Sequence, residues 1–213
     1  ALGFEALATE DTGKSSVAIG YQALKTQNND AENFNTAVGA LAGLSVTTGF
    51  NNTLIGGKAG DAITSGDNNV AVGVNALTAD TLGDRNVAIG AAALASQNFT
   101  TSTDVYNVGV GYLAGFSVTT GVQNTIIGGL AGDAITSALG NTTVGYNSLS
   151  AETQGKGSVA MGFHALRLQN ITSDSFVFNT AIGYSAGEAV TTGVQNTIVG
   201  GLAGDALTDA DFN

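Results

Sequence analysis

The chain has 213 residues, with 17 acidic residues against 6 basic ones and a net charge of −11. Single, scattered cations such as Lys14, Lys58 and Arg167 cannot form the clustered basic surface that nucleic acid or an anionic membrane requires. The absence of Cys and Pro, beside 31 Gly, argues against a disulfide framework, a thiolate metal centre and a collagen helix, and no apolar run approaches the roughly 20 residues of a membrane-spanning helix.

From the first residues onward, glycine keeps time. It recurs at Gly3, Gly20, Gly39, Gly56, Gly73, Gly90, Gly111, Gly128, Gly145, Gly162, Gly183 and Gly200, mostly in steps of 17. A short period held along a whole chain signals a solenoid, whose windings cannot fold singly. If each of these glycines is taken as the fifth position of a winding, the first is usually Asn (Asn35, Asn52, Asn69, Asn86). The second and fourth are β-branched, as in Thr36 and Val38 or Thr53 and Ile55, and the third is mostly Ala. This alternation predicts a short strand in every winding, with residues such as Val38 and Ile55 sheltered in the core. The eighth position is Ala almost throughout (Ala23, Ala42, Ala59), with Ser148 as the exception, which marks an enclosed corner. Further on, Ser45–Thr48 and Asp61–Thr64 predict a second strand per winding, followed by Gly, Asn and Asp turns. The Asn column fits either turn chemistry or a side-chain ladder between windings.

A longer rhythm overlies the coil. The residue after the enclosed Ala cycles as Leu24, Gly43, Gly60, Leu77 and then Leu94, Gly115, Gly132, Leu149, which gives a 72-residue, four-coil super-repeat. One coil in each super-repeat carries an insert: Gln27–Phe34, Gln97–Tyr106 and Gln169–Phe178. Solenoid inserts form loops on one face, often the binding face. Phe34, Gln97, Asn98, Phe99, Tyr106, Phe176 and Phe178 are therefore the candidate contact residues. The competing expectation is that these aromatics fold back over the core or a neighbouring chain. The chain opens at the third position of one coil and closes at Asn213, the first position of that coil type, so residues 1–213 are expected to form one continuous solenoid that is a piece of a longer filament.

The runs Ser16–Gly20, Asn86–Gly90 and Ser158–Gly162, each with Ala three residues on, resemble the head repeats of YadA-like trimeric autotransporter adhesins and repeats of bacteriophage tail fibres. The resemblance implies a left-handed parallel β-roll and a homotrimer, exposed outside a cell or on a virion. Family coils are nearer fourteen residues than 17. The third-position face, Ala-rich with Leu54, Ile126 and Ile198, is expected either to meet another chain or to pack on the coil's own second strand.

Catalytic chemistry is thin. His164 is the sole histidine and reads as a variable surface position. Asp61, Asp133 and Asp205 recur as turn residues, and Asp80 and Asp84 read as solvated turns. No enzyme activity, cofactor or metal is expected. The expected function is a structural fibre or attachment segment. A glycan- or receptor-binding head using the inserts is the alternative, and an ice-binding solenoid or a polysaccharide-degrading spike stands further off.

Overall fold

A computed structural model describes residues 1–213 and shows a parallel β-solenoid without a helix. It comprises two compact units, Ala1–Tyr106 and Asn107–Asn213. In the first, β1 (Val17–Ile19), β2 (Thr36–Val38), β3 (Thr53–Ile55), β4 (Val70–Val72) and β6 (Val87–Ile89) pair in succession, all parallel. The two-residue strands β5 (Gly83–Asp84) and β7 (Thr103–Asp104) pair separately. In the second unit β8 (Val108–Val110), β9 (Thr125–Ile127), β10 (Thr142–Val144), β11 (Val159–Met161), β12 (Thr180–Ile182) and β13 (Thr197–Val199) do the same. Register is set by the coil: Thr36 lies beside Thr53, and Thr53 beside Val70.

The repeated glycine is required twice over. Gly39 has φ +141°, and a Cβ there would lie 2.5 Å from the carbonyl oxygen of Gly56 and 2.6 Å from its carbonyl carbon. Backbone conformation and the close approach of successive windings both exclude a side chain.

The inside and outside of the strand are reversed from expectation. The third position is the interior one: Ala18, Ala37, Leu54, Ala71 and Ala88 are fully buried. Positions two and four face outward, so Val38 is half-buried and Ile55 is 38% exposed. The solenoid survives this reversal because another column supplies the missing core volume. The ninth position places Leu24, Leu77, Leu94, Leu149 and Leu166 inside. They do so with positive φ, such as 49° at Leu24, a costly backbone for a residue with a Cβ.

The second strand does not form at the expected segments, and the only second strand pairing, β5 with β7, lies further along the coil. Ser45–Thr48 and Asp61–Thr64 form turns, although they still bond to the next winding, Ser45 N–H to Asp61 O at 3.0 Å and Thr47 N–H to Thr64 O at 2.8 Å. Their buried residues Val46 and Ile63 sit at the twelfth position of the coil.

These interior columns explain the super-repeat. Where the third position is large (Leu54, Ile126, Ile198), the ninth is Gly in the same coil and in the one before. A Cβ on Gly43 would lie 2.7 Å from Leu54 Cδ1, and one on Gly60 2.8 Å from Leu54 Cδ2. A Cβ on Gly187 would lie 2.9 Å from Ile198 Cδ1. Large third residues and large ninth residues thus compete for one space, and close packing permits one of them. The Ser148 exception has a local cause. Its neighbour inside the coil is the buried Thr143, whose hydroxyl donates to Ser148 O at 3.0 Å.

The Asn column is a ladder, although not mainly of amide on amide. The side-chain oxygen of Asn35 accepts the N–H of Asn52 at 2.9 Å, while its Nδ2 donates to Gly49 O at 2.7 Å in the turn that closes its own coil. Asn52, Asn69, Asn124 and Asn141 repeat the pattern. Each amide joins two windings and satisfies buried backbone groups.

Candidate functional site

Two surface features stand out, the outward strand face and the three inserts. On the outward face every second- and fourth-position residue of the eleven three-residue strands is Val, Thr or Ile, except Met161. None is charged. Val17, Ile19, Ile55, Ile89, Ile127, Met161, Ile182 and Val199 are exposed large apolar side chains. Period-two alternation produces this face, because the interior claims the third position for small or packed residues and leaves two β-branched columns outside. Flanking it, after the repeated glycine, stand exposed rings. Tyr146 and Phe163 stack with centroids 5.6 Å apart, and Phe163 and Tyr184 with centroids 5.1 Å apart.

Each insert is pinned by a carboxylate–glutamine pair that is not apparent from composition, with both partners buried for Asp80 with Gln97 and Glu152 with Gln169, and Glu10 only partly buried beside the buried Gln27. The twelfth position is apolar in two coil types (Val46, Ile63) and polar in the other two, giving Glu10 with Gln27, Asp80 with Gln97, and Glu152 with Gln169. Asp80 accepts from Gln97 Nε2 at 2.6 Å, from Phe99 N–H at 3.0 Å and from Gly83 N–H at 3.1 Å. Glu152 does the same with Gln169 Nε2 at 2.8 Å, Ile171 N–H at 3.1 Å and Gly155 N–H at 2.7 Å. Gln27 Nε2 reaches Glu10 Oε2 at 3.0 Å. The glutamines continue the chain of bonds, since Asn35 Nδ2 donates to Gln27 Oε1 at 2.9 Å and Asn179 Nδ2 to Gln169 Oε1 at 2.8 Å. Burial pushes the Asp80 carboxyl above its ordinary range, against the lowering effect of the Phe99 and Gln97 donors. Asp80 and Asp84 are therefore buried groups, which corrects their reading as solvated turns. The spacing of 17 between acid and glutamine, repeated three times, was the available signal.

The seven candidate contact residues divide. Gln97 is fully buried in its pair and Phe99 is 9% exposed, so neither offers a surface to a partner. Both are needed inside to anchor the insert. Asn98 is exposed and accepts from Thr81 Oγ1 at 3.1 Å. Phe34, Tyr106, Phe176 and Phe178 are each about half exposed. The structure brings Phe176 and Phe178 together as a stacked pair at 5.1 Å. Lys156 lies 5.8 Å from the Phe176 ring and pairs with Asp174. Arg85 lies 5.7 Å from the Tyr106 ring and pairs with Asp104.

His164 is half-buried. It stacks on Phe163 at 3.8 Å, and its Nδ1 lies 3.4 Å from Glu188 Oε1. Asp133 is partly buried, with burial raising its carboxyl and Oδ1 lacking a partner. No pocket is present in either unit, and no three His, Cys, Asp or Glu are grouped to hold a metal ion. No helix is long and apolar enough to cross a membrane. No family model, curated protein or solved structure matches the chain.

Proposed function

We propose that the chain is a structural fibre or attachment segment without catalytic activity, which associates with copies of itself, as a homotrimer, through the outward β-branched face. The observation that carries this reading is the uncharged face itself. A chain with net charge −11 keeps two adjacent columns in every coil free of charge and rich in exposed Val and Ile. Contiguous apolar surface of that kind marks association. The interface is thus the face opposite to the one expected from the third-position residues, which are interior. The likeness of Ser158–Gly162 and its counterparts to adhesin-head and tail-fibre repeats supports three copies and a place on a cell surface or virion.

Light scattering coupled to size exclusion tests the reading. The expected mass is three chains, and Val144→Lys with Ile127→Lys should reduce it to one while circular dichroism stays unchanged. A wild-type chain that remains a monomer at high micromolar concentration would overturn it. The half-exposed rings Phe34, Tyr106, Phe176 and Phe178, two of them beside paired cations, favour a second role in contacting a host glycan or protein. Glycan-array binding that survives replacement of all four by Ala would reject that role.

A further inference from the structure

The outward strand face is uniform in chemistry except at one atom. Among its second- and fourth-position residues, Val, Thr or Ile everywhere else, Met161 alone carries sulfur. It is also the one Met of a chain without Cys. Sulfur is the side-chain element that mild oxidants convert through defined products. The sequence confines that reactivity to a single position, and the fold sets this position on the outside.

Met161 ends β11, with Val144 and Ile182 beside it in register on the neighbouring strands. It is 39% exposed, against 37% for Ile127 and 40% for Ile182. Ile19 and Ile89 hold its place in the other two super-repeats. The thioether thus stands where a β-branched residue would, and the column is undisturbed. Inward packing does not call for Met either, because the interior residue of β11 is the fully buried Ala160.

Resting on the self-association proposed above, we infer that Met161 is an oxidation site through which assembled copies are released. A peroxide is the oxidant. Its terminal oxygen passes to a lone pair of the sulfur as the O–O bond breaks and the S–O bond forms. Sulfur is oxidised, the peroxide is reduced, and water or an alcohol departs. The sulfoxide is polar and chiral where the thioether was apolar. In a single chain its oxygen is hydrated, and the coil is untouched because the side chain points away from the interior. Between copies the same oxygen meets a surface made mainly of methyl groups, and a buried acceptor without a partner is destabilising. Contact between copies also shields the sulfur, so separated chains react faster than assembled ones.

Hydrogen peroxide applied to dilute, separated chains and to chains at high micromolar concentration tests this, with the gain of one oxygen followed by intact mass. Uptake should be faster in the dilute sample. Light scattering coupled to size exclusion should then show association of the oxidised chain weakened roughly ten- to a hundredfold. Met161→Gln, with a permanent polar group at that place, should weaken it similarly. Met161→Ile should assemble as the wild type does and be indifferent to peroxide. Methionine sulfoxide reductases for both epimers, supplied with a thiol, should restore the oxidised chain. Circular dichroism of each sample checks that the coil is intact. An oxidised chain that assembles like the wild type, or a Met161→Ile chain released by peroxide, would overturn the role of Met161 and leave self-association standing. A wild-type chain that is monomeric at every concentration would instead remove the reading on which it rests.

Discussion

The competition between third and ninth positions for one interior space can be measured with a double-mutant cycle at Leu54 and Gly60. Leu54→Ala removes a fully buried side chain and should cost about 3 kcal/mol, in the middle of the range for Leu-to-Ala core truncation. Gly60→Leu adds a side chain whose first atom already lies 2.8 Å from Leu54 Cδ2 and 2.8 Å from Ile63 Cδ1. That overpacking should cost about 3 kcal/mol, and the left-handed backbone at φ +55° adds about 1 kcal/mol for a residue with a Cβ. If the sites were independent, the pair would cost about 7 kcal/mol. Together, however, the two changes convert the coil to the Ala-and-Leu type already present at Ala71 and Leu77. The backbone penalty persists, as does a void beside Gly43 and some crowding at Ile63, so the double variant should lose about 4 kcal/mol. The coupling is then about −3 kcal/mol, at the upper end for residues in contact. Urea unfolding followed by far-ultraviolet circular dichroism, at one fixed protein concentration, measures all four corners. Additivity within about 0.5 kcal/mol would refute the shared-space account of the super-repeat.

Two further outcomes follow from the coil. Gly56→Ala should destabilise the chain by about 3–5 kcal/mol, because its Cβ would meet the Gly73 carbonyl at 2.5 Å and strain and inter-coil bonds are both affected; an unchanged urea midpoint would contradict the close approach. Burial raises the Asp80 carboxyl above its unfolded value, so the folded state binds that proton more tightly. The stability from this group is then present below the ordinary carboxylate range and falls as pH rises through the raised native value. Asp80→Asn should flatten the corresponding decline in melting temperature between acid and neutral pH, and a decline that stays as steep as in the wild type would assign it to other groups.

The aromatic inserts show how far residue type alone can lead. Phe99 and Tyr106 belong to the same insert, yet one is folded inward beside a buried carboxylate and the other stands half in water. Their fate depends on Asp80, 19 residues before Phe99, whose side chain captures the Phe99 amide. Nothing local to Phe99 signals that bond, although the acid-to-glutamine interval of 17 in all three super-repeats does.

The glycine period and the Asn column determined the coil and its parallel stacking, because a Cβ-free corner and an amide joining two windings are demands of the backbone itself. Which side of each strand faces inward was decided only in the folded chain. A period of two separates two faces without naming the interior one, and that choice fell to volume. Leucines at the ninth position, seventeen residues of chain per turn and a narrow interior left room for Ala at the third position, and this turned Val38 and Ile55 outward.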